Sequence, residues 1–117
     1  MFEIVIYSDS SGRSQICEFV EGLNKNDKDS RINFIKVVSY IRLLAENGTS
    51  IGMPVMRYLK DEIWELRPIA NRILFANIGN NRYLLLHSFR KTTNKTPQME
   101  IEMAKKELAD FKRRERK

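Results

Sequence analysis

Five cations stand at the ends of consecutive apolar segments. Arg67 closes IWELR (63–67), Arg72 is second in NRILFANI (71–78), and Arg90, Lys91 and Lys95 fall in FRKTTNKTP (89–97), at the exit of RYLLLHSF (82–89). Cations gathered this way grip phosphate, arginine through a planar fork and lysine as a point charge. The 89–97 stretch contains no acid, and its threonines and asparagine add neutral donors. Such a patch can cut RNA without a metal. The 2′-hydroxyl attacks the adjacent phosphate, and fixed cations stabilise the pentavalent, dianionic phosphorus, usually the largest catalytic term. A lysine among other cations is pushed toward its neutral form and can serve as the base. Glu65, on the strand face of Arg67, is a second candidate base, with an ion pair to Arg67 as its structural alternative. Tyr83 could stack on a nucleobase. Trp64 alternates with Glu65 and Arg67, which assigns it to the core. His87 shares its parity with Leu85 and Phe89 and reads as a half-buried strand histidine rather than a proton carrier. Cys17 reads as packed within the first helix.

The elements that must position these groups follow from periodicity. EIVIY (3–7) is β-branched and aromatic and predicts a strand. Ile16, Phe19, Val20 and Leu23 form one helical stripe after the turn at 8–12. A polar connection at 24–30 leads into a helix from about Asp29 to Asn47, with Phe34, Val38, Ile41 and Ala45 as its stripe, widened by Ile35 and Leu44. Asn47 and Gly48 supply its stop. IWELR, NRILFANI and RYLLLHSF predict three strands, the last two joined by the GNN turn at 79–81. Thr96 and Pro97 predict the N-cap and first position of a final helix. Its stripe is Ile101, Ala104, Leu108 and Phe111, and Lys112, Arg113 and Arg114 sit at its negative end. The expected fold is α+β: an N-terminal strand, a helical hairpin, a three-strand antiparallel meander and a C-terminal helix. One sheet face packs on the helices and the other meets water or a ligand.

The chain has 117 residues, which suits a single domain over 1–117. Lys and Arg number 21 against 15 Asp and Glu, giving +6. Residues 1–56 hold six cations and seven acids, and residues 57–117 hold fifteen and eight, so the basic character belongs to the second half. That asymmetry suits an anionic partner such as nucleic acid, the alternative being a solubilising surface. One cysteine excludes an intramolecular disulfide, and one histidine with one cysteine argues against a zinc site of the usual kind. No apolar run reaches bilayer-spanning length, and the opening MFEIVIYSD lacks the marks of a signal peptide. The expectation is a cytoplasmic protein.

The motifs IWELRP, NRILFA and SFRKTTNKTPQMEIEMAKKEL resemble the RelE/HigB-like toxins of bacterial type II toxin–antitoxin systems, specifically the phage-derived branch. The resemblance covers nearly the whole chain and is most specific at the last motif. It implies a small curved antiparallel sheet with two N-terminal helices on one side. It implies cleavage of mRNA, often in the ribosomal A site, without metal or cofactor. Inhibition of translation would be relieved by a cognate helix-turn-helix, HigA-like antitoxin in a hetero-oligomer. By this resemblance Arg67 and Arg72 polarise the scissile phosphate, Lys91 with Arg90 matches the cation after the last strand, and Lys95 matches the second lysine of the branch motif. The sequence departs from the best-known relatives where lysines precede the strand arginine. Ile63 and Glu65 occupy those places, leaving Glu65, Lys91 and Lys95 as candidate bases. Two alternatives are a ParE-like inhibitor of gyrase and a non-enzymatic module that binds RNA or ribosomes.

Overall fold

A computed structural model describes residues 1–23 and 25–116. Asn24, in the predicted polar connection, and Lys117, in the basic tail, lie outside the described residues. The elements are β1 (Glu3–Ile6), α1 (Gln15–Gly22), α2 (Lys28–Asn47), a 3-10 turn (Gly48–Ile51), β2 (Met56–Lys60), β3 (Ile63–Leu66), β4 (Asn71–Gly79), β5 (Arg82–Arg90) and α3 (Gln98–Glu115). The sheet order is β1-β5-β4-β3-β2. β1 runs parallel to β5, and the remaining neighbours are antiparallel. The expected α+β class holds, but the meander has four strands. β2, in MRYLK, was missing from the sequence reading because it is short, and its Tyr58 is exposed.

Ser14 and Asp27 cap α1 and α2, accepting the backbone N–H of Cys17 at 3.1 Å and of Ser30 at 2.8 Å. Gly48 ends α2 with a φ of +64°, and a Cβ there would stand 2.9 Å from the Phe2 ring and 3.0 Å from the Tyr83 hydroxyl. Glycine is therefore required both for the turn and for the packing of β1 beneath it.

Both sheet faces are covered, which corrects the expectation of one open face. On one side Leu66, Ile73, Phe75, Tyr83 and Leu85 pack with Ile16, Val37 and Leu44 of α1 and α2. On the other, Ile63, Leu74, Ala76, Leu84 and Leu86 meet Ala104 and Leu108 of α3. The unbroken apolar runs of β4 and β5 suit strands buried on both faces. Within α2 the inward positions are Val37 and Leu44, while Phe34 and Ile35 of the predicted stripe are exposed. Cys17 is likewise exposed. Trp64 is half-buried on the α1/α2 face, against Phe75 and Tyr58 and away from the cations.

Candidate functional site

Strand alternation brings Arg57, Glu65, Arg67 and Arg72 to one end of the sheet, on the α3 face. Arg57 lies opposite Glu65 and Glu65 opposite Leu74, so these three share a side. Glu65 is buried, 1% exposed, and is the hub. Its Oε1 accepts from Arg57 Nε at 3.0 Å and lies 3.9 Å from both Arg67 Nε and Arg72 Nε. Its Oε2 accepts from the Thr96 hydroxyl. Three guanidiniums thus converge on one carboxylate, leaving an excess of positive charge where the effective dielectric is low. Burial pulls the Arg72 pKa below its ordinary value, and the charge of Arg67 pulls it further. The Arg72 side chain is only 4% exposed, and its Nη1 donates to the carbonyls of Ile69 and Asn71. Arg67, at 12%, and Arg57, at 31%, reach the surface.

The 91–96 segment is tied to this cluster. Arg57 Nη2 donates to the Asn94 carbonyl at 2.9 Å and to Thr96 Oγ1 at 3.3 Å. The Lys91 N–H donates to the Ala70 carbonyl at 2.9 Å, and its Nζ donates to Asn94 Oδ1 at 3.2 Å. Lys91 is half-buried at the rim, and Lys95 is exposed on a shallow groove also lined by Arg57, Lys60 and Gln98. Thr96 does not cap α3 as expected. The helix starts at Gln98 with Pro97 at its N-cap and no side-chain cap, because the Thr96 hydroxyl is spent on Glu65.

Other expected site residues are placed elsewhere. Arg90 pairs with Asn71, whose amide donates to Asn33 of α2, so Arg90 is exposed on the face opposite Arg72. Tyr83 is 3% exposed between Phe2 and Phe75, with no ring face free for a nucleobase. Glu65 is likewise removed from the surface, and both its oxygens have partners. Arg57 and Thr96 were missed as site residues. The alternation of Met56, Arg57 and Tyr58 was the available signal for Arg57. The Thr96 contact had no local signal, since it spans 31 positions.

His87 is buried, with Nδ1 at 2.5 Å from Glu107 and Nε2 at 3.0 Å from Glu100, both on α3. An irregularity in register sets His87 opposite Leu74 and Leu85 opposite Phe75. His87 therefore faces α3 and does not share the side of Leu85, but its structural reading fits these contacts. Among the described residues no group of three or more His, Cys, Asp or Glu is placed to hold a metal ion.

This combination defines a class: a three-layer α+β domain with an arginine cluster at one end of its sheet. The chain belongs to the family described as Phage derived protein Gp49-like (DUF891), which matches residues 21–109. A chain of the heterotetrameric YoeB-YefM toxin–antitoxin complex from Staphylococcus aureus is similar in fold, with a TM-score of 0.53 and 14% identity over 80% of this chain and 99% of that one. A comparison with curated proteins finds no match. Among the described residues no helix is long and apolar enough to cross a membrane.

Proposed function

We propose that this protein is the toxin of a type II toxin–antitoxin pair and cleaves mRNA, in the manner of the RelE/HigB-like toxins. The observation that carries this reading is the convergence of Arg57, Arg67 and Arg72 on the buried Glu65 carboxylate. One anion among three cations leaves a preorganised site for a second anion, and a phosphate in its dianionic transition state fits that need. Glu65 acts as the scaffold that aligns the guanidiniums rather than as base. Arg67 reaches the phosphate, and Arg57 and Arg72 reinforce the field behind it. Lys91, held at the rim through Asn94, transfers the proton, and Lys95 and Lys60 track the neighbouring RNA backbone. The 2′-hydroxyl attacks phosphorus, the 5′-oxygen leaves with a proton, and a 2′,3′-cyclic phosphate results, with no metal required. The similarity to a chain of a toxin–antitoxin complex supports an antitoxin partner for this chain as well.

The experiment is brief induction in cells followed by mapping of mRNA 5′ ends, beside a supercoiling assay with purified gyrase. New 5′ ends within messages should appear with the native protein and vanish with Arg67→Ala and Lys91→Ala. Intact messages together with inhibited gyrase would replace this reading with the gyrase-directed one.

A further inference from the structure

Two exposed apolar side chains flank the arginine cluster, and one is held in an unfavourable backbone conformation. Ile69 has a φ of +59° and is 45% exposed. A β-branched residue at positive φ is an outlier, and a position of this kind in a turn normally takes glycine or asparagine. The turn is over-determined. The Asn71 N–H and side-chain amide both donate to the Pro68 carbonyl, at 3.0 and 3.2 Å. Arg72 Nη1 donates to the Ile69 carbonyl at 3.0 Å, and the Lys91 N–H donates to that of Ala70. Strain maintained by such a network beside a charged cluster points to function. The second side chain is Met53, 59% exposed, whose sulfur lies 3.3 Å from Arg67 Nη1. The Ile69 backbone carbonyl and the Met53 sulfur thus contact, respectively, Arg72 and Arg67, the two guanidiniums that lie 3.9 Å from the same Glu65 oxygen.

We propose that Ile69 and Met53 form an apolar shelf that receives a nucleobase of single-stranded RNA while Arg67 holds the adjacent phosphate, with Arg72 buried behind it. The inference rests on the RNA-cleaving reading above and adds to it how the substrate is seated. A nucleobase suits the shelf better than a protein face does. The apolar surface consists of two side chains, it borders the phosphate-binding cations directly, and in a nucleotide an apolar face and an anion lie a few ångströms apart. Contact with a base face is tolerant of sequence, so the shelf fixes the register of the strand rather than its identity.

Fluorescence anisotropy with the full-length protein tests this. The probes are a short single-stranded RNA, 2′-O-methylated to block cleavage, and the same strand with abasic sugars, which keeps every phosphate. The native protein should bind the base-bearing strand about tenfold more tightly, as the burial of a modest apolar area allows. Ile69→Asn relieves the backbone strain, so it should keep or raise the melting temperature while reducing that preference to about twofold. Met53→Ser should reduce it without touching the turn. Arg67→Ala should weaken binding to both strands alike and lower the salt dependence. Equal binding of the two strands by the native protein, or a preference that survives both Ile69→Asn and Met53→Ser, overturns the shelf. If binding nonetheless depends on Arg67, the RNA reading stands, and the apolar pair is left for a protein partner. Failure of both strands to bind in an Arg67-dependent way overturns the shelf and the RNA reading together.

Discussion

At the scale of single residues, Glu65 decides what the arginines can do. Alone, three guanidiniums this close would repel and swing into water. With the carboxylate between them they are held, and Arg72 can remain buried. The arrangement makes Glu65 a stability determinant whose loss is felt through its partners. Glu65→Gln keeps the volume but leaves uncompensated buried charge, a change that typically costs about 3–5 kcal/mol. Urea unfolding of the native and Glu65→Gln proteins should show that loss, with a fall in the midpoint. An unchanged midpoint would mean that the cluster relaxes without its anion, and the scaffold role would be wrong.

At the scale of elements, α3 is the piece whose docking depends on titration. Burial of the His87 ring pulls its pKa down, but the hydrogen bond and charge of Glu107, with those of Glu100, outweigh it and leave the value above the ordinary 6.5. The ring bridges β5 to α3, with Glu100 and Glu107 facing it from the helix and Phe89 beside it on the strand. A histidine whose folded pKa is raised contributes fully below its unfolded value. That contribution fades as pH rises through the folded value. Thermal melts between about pH 6 and pH 9 should therefore show the native protein losing its advantage over His87→Gln as pH increases. At the acid end the substitution should cost about 1.5–3 kcal/mol, the range for a hydrogen bond to a charged group. A constant difference across the range would show that folding does not shift the pKa of the ring. His87→Gln should also retain most growth arrest, since the ring makes its contacts with α3 and not with the arginine cluster.

At the scale of the whole molecule, two groups of cations from the second half are set in different surroundings. Arg57, Arg67 and Arg72 converge at one end of the sheet. The C-terminal cations Lys112, Arg113 and Arg114 pair with Glu62 and Asp110 on the surface of α3 and its neighbours. Exposed pairs of this kind contribute little. Neutralising Lys112 and Arg113 should leave growth arrest nearly unchanged at matched expression. Arg67→Ala should lower cleavage about a hundred- to a thousand-fold, the usual cost of one donor aimed at developing charge. The opposite pattern, with the tail variants inactive and Arg67→Ala toxic, would move the function to another surface.

Much of this was legible in the order of residues. The periodicity of 15–23, the Asn47-Gly48 stop of α2, the GNN turn and the stripe Ile101, Ala104, Leu108 and Phe111 are local features, and local sterics and hydrogen bonding enforce them. Arg67 and Arg72 could be placed near each other because neighbouring strands alternate in step. The continuous apolar runs of β4 and β5 already implied two covered faces, a signal first read as one-sided. Other features depended on partners far along the chain. Thr96 looked like a cap because a hydroxyl before proline usually caps, but a buried carboxylate 31 positions away claimed it. Arg57 joined the cluster only because MRYLK found the free edge of β3. Tyr83 was lost to the core because Phe2 and Phe75 close over it, and Arg90 fell on the far face through its pairing with Asn71. The sequence by itself determined the elements other than β2 and the 3-10 turn, and the kind of charge at their ends, since propensity and pattern act over a few residues. Only the tertiary structure decided which cations share an anion and which helix covers each sheet face, because a buried charge takes its partner from whatever the fold brings within hydrogen-bond reach.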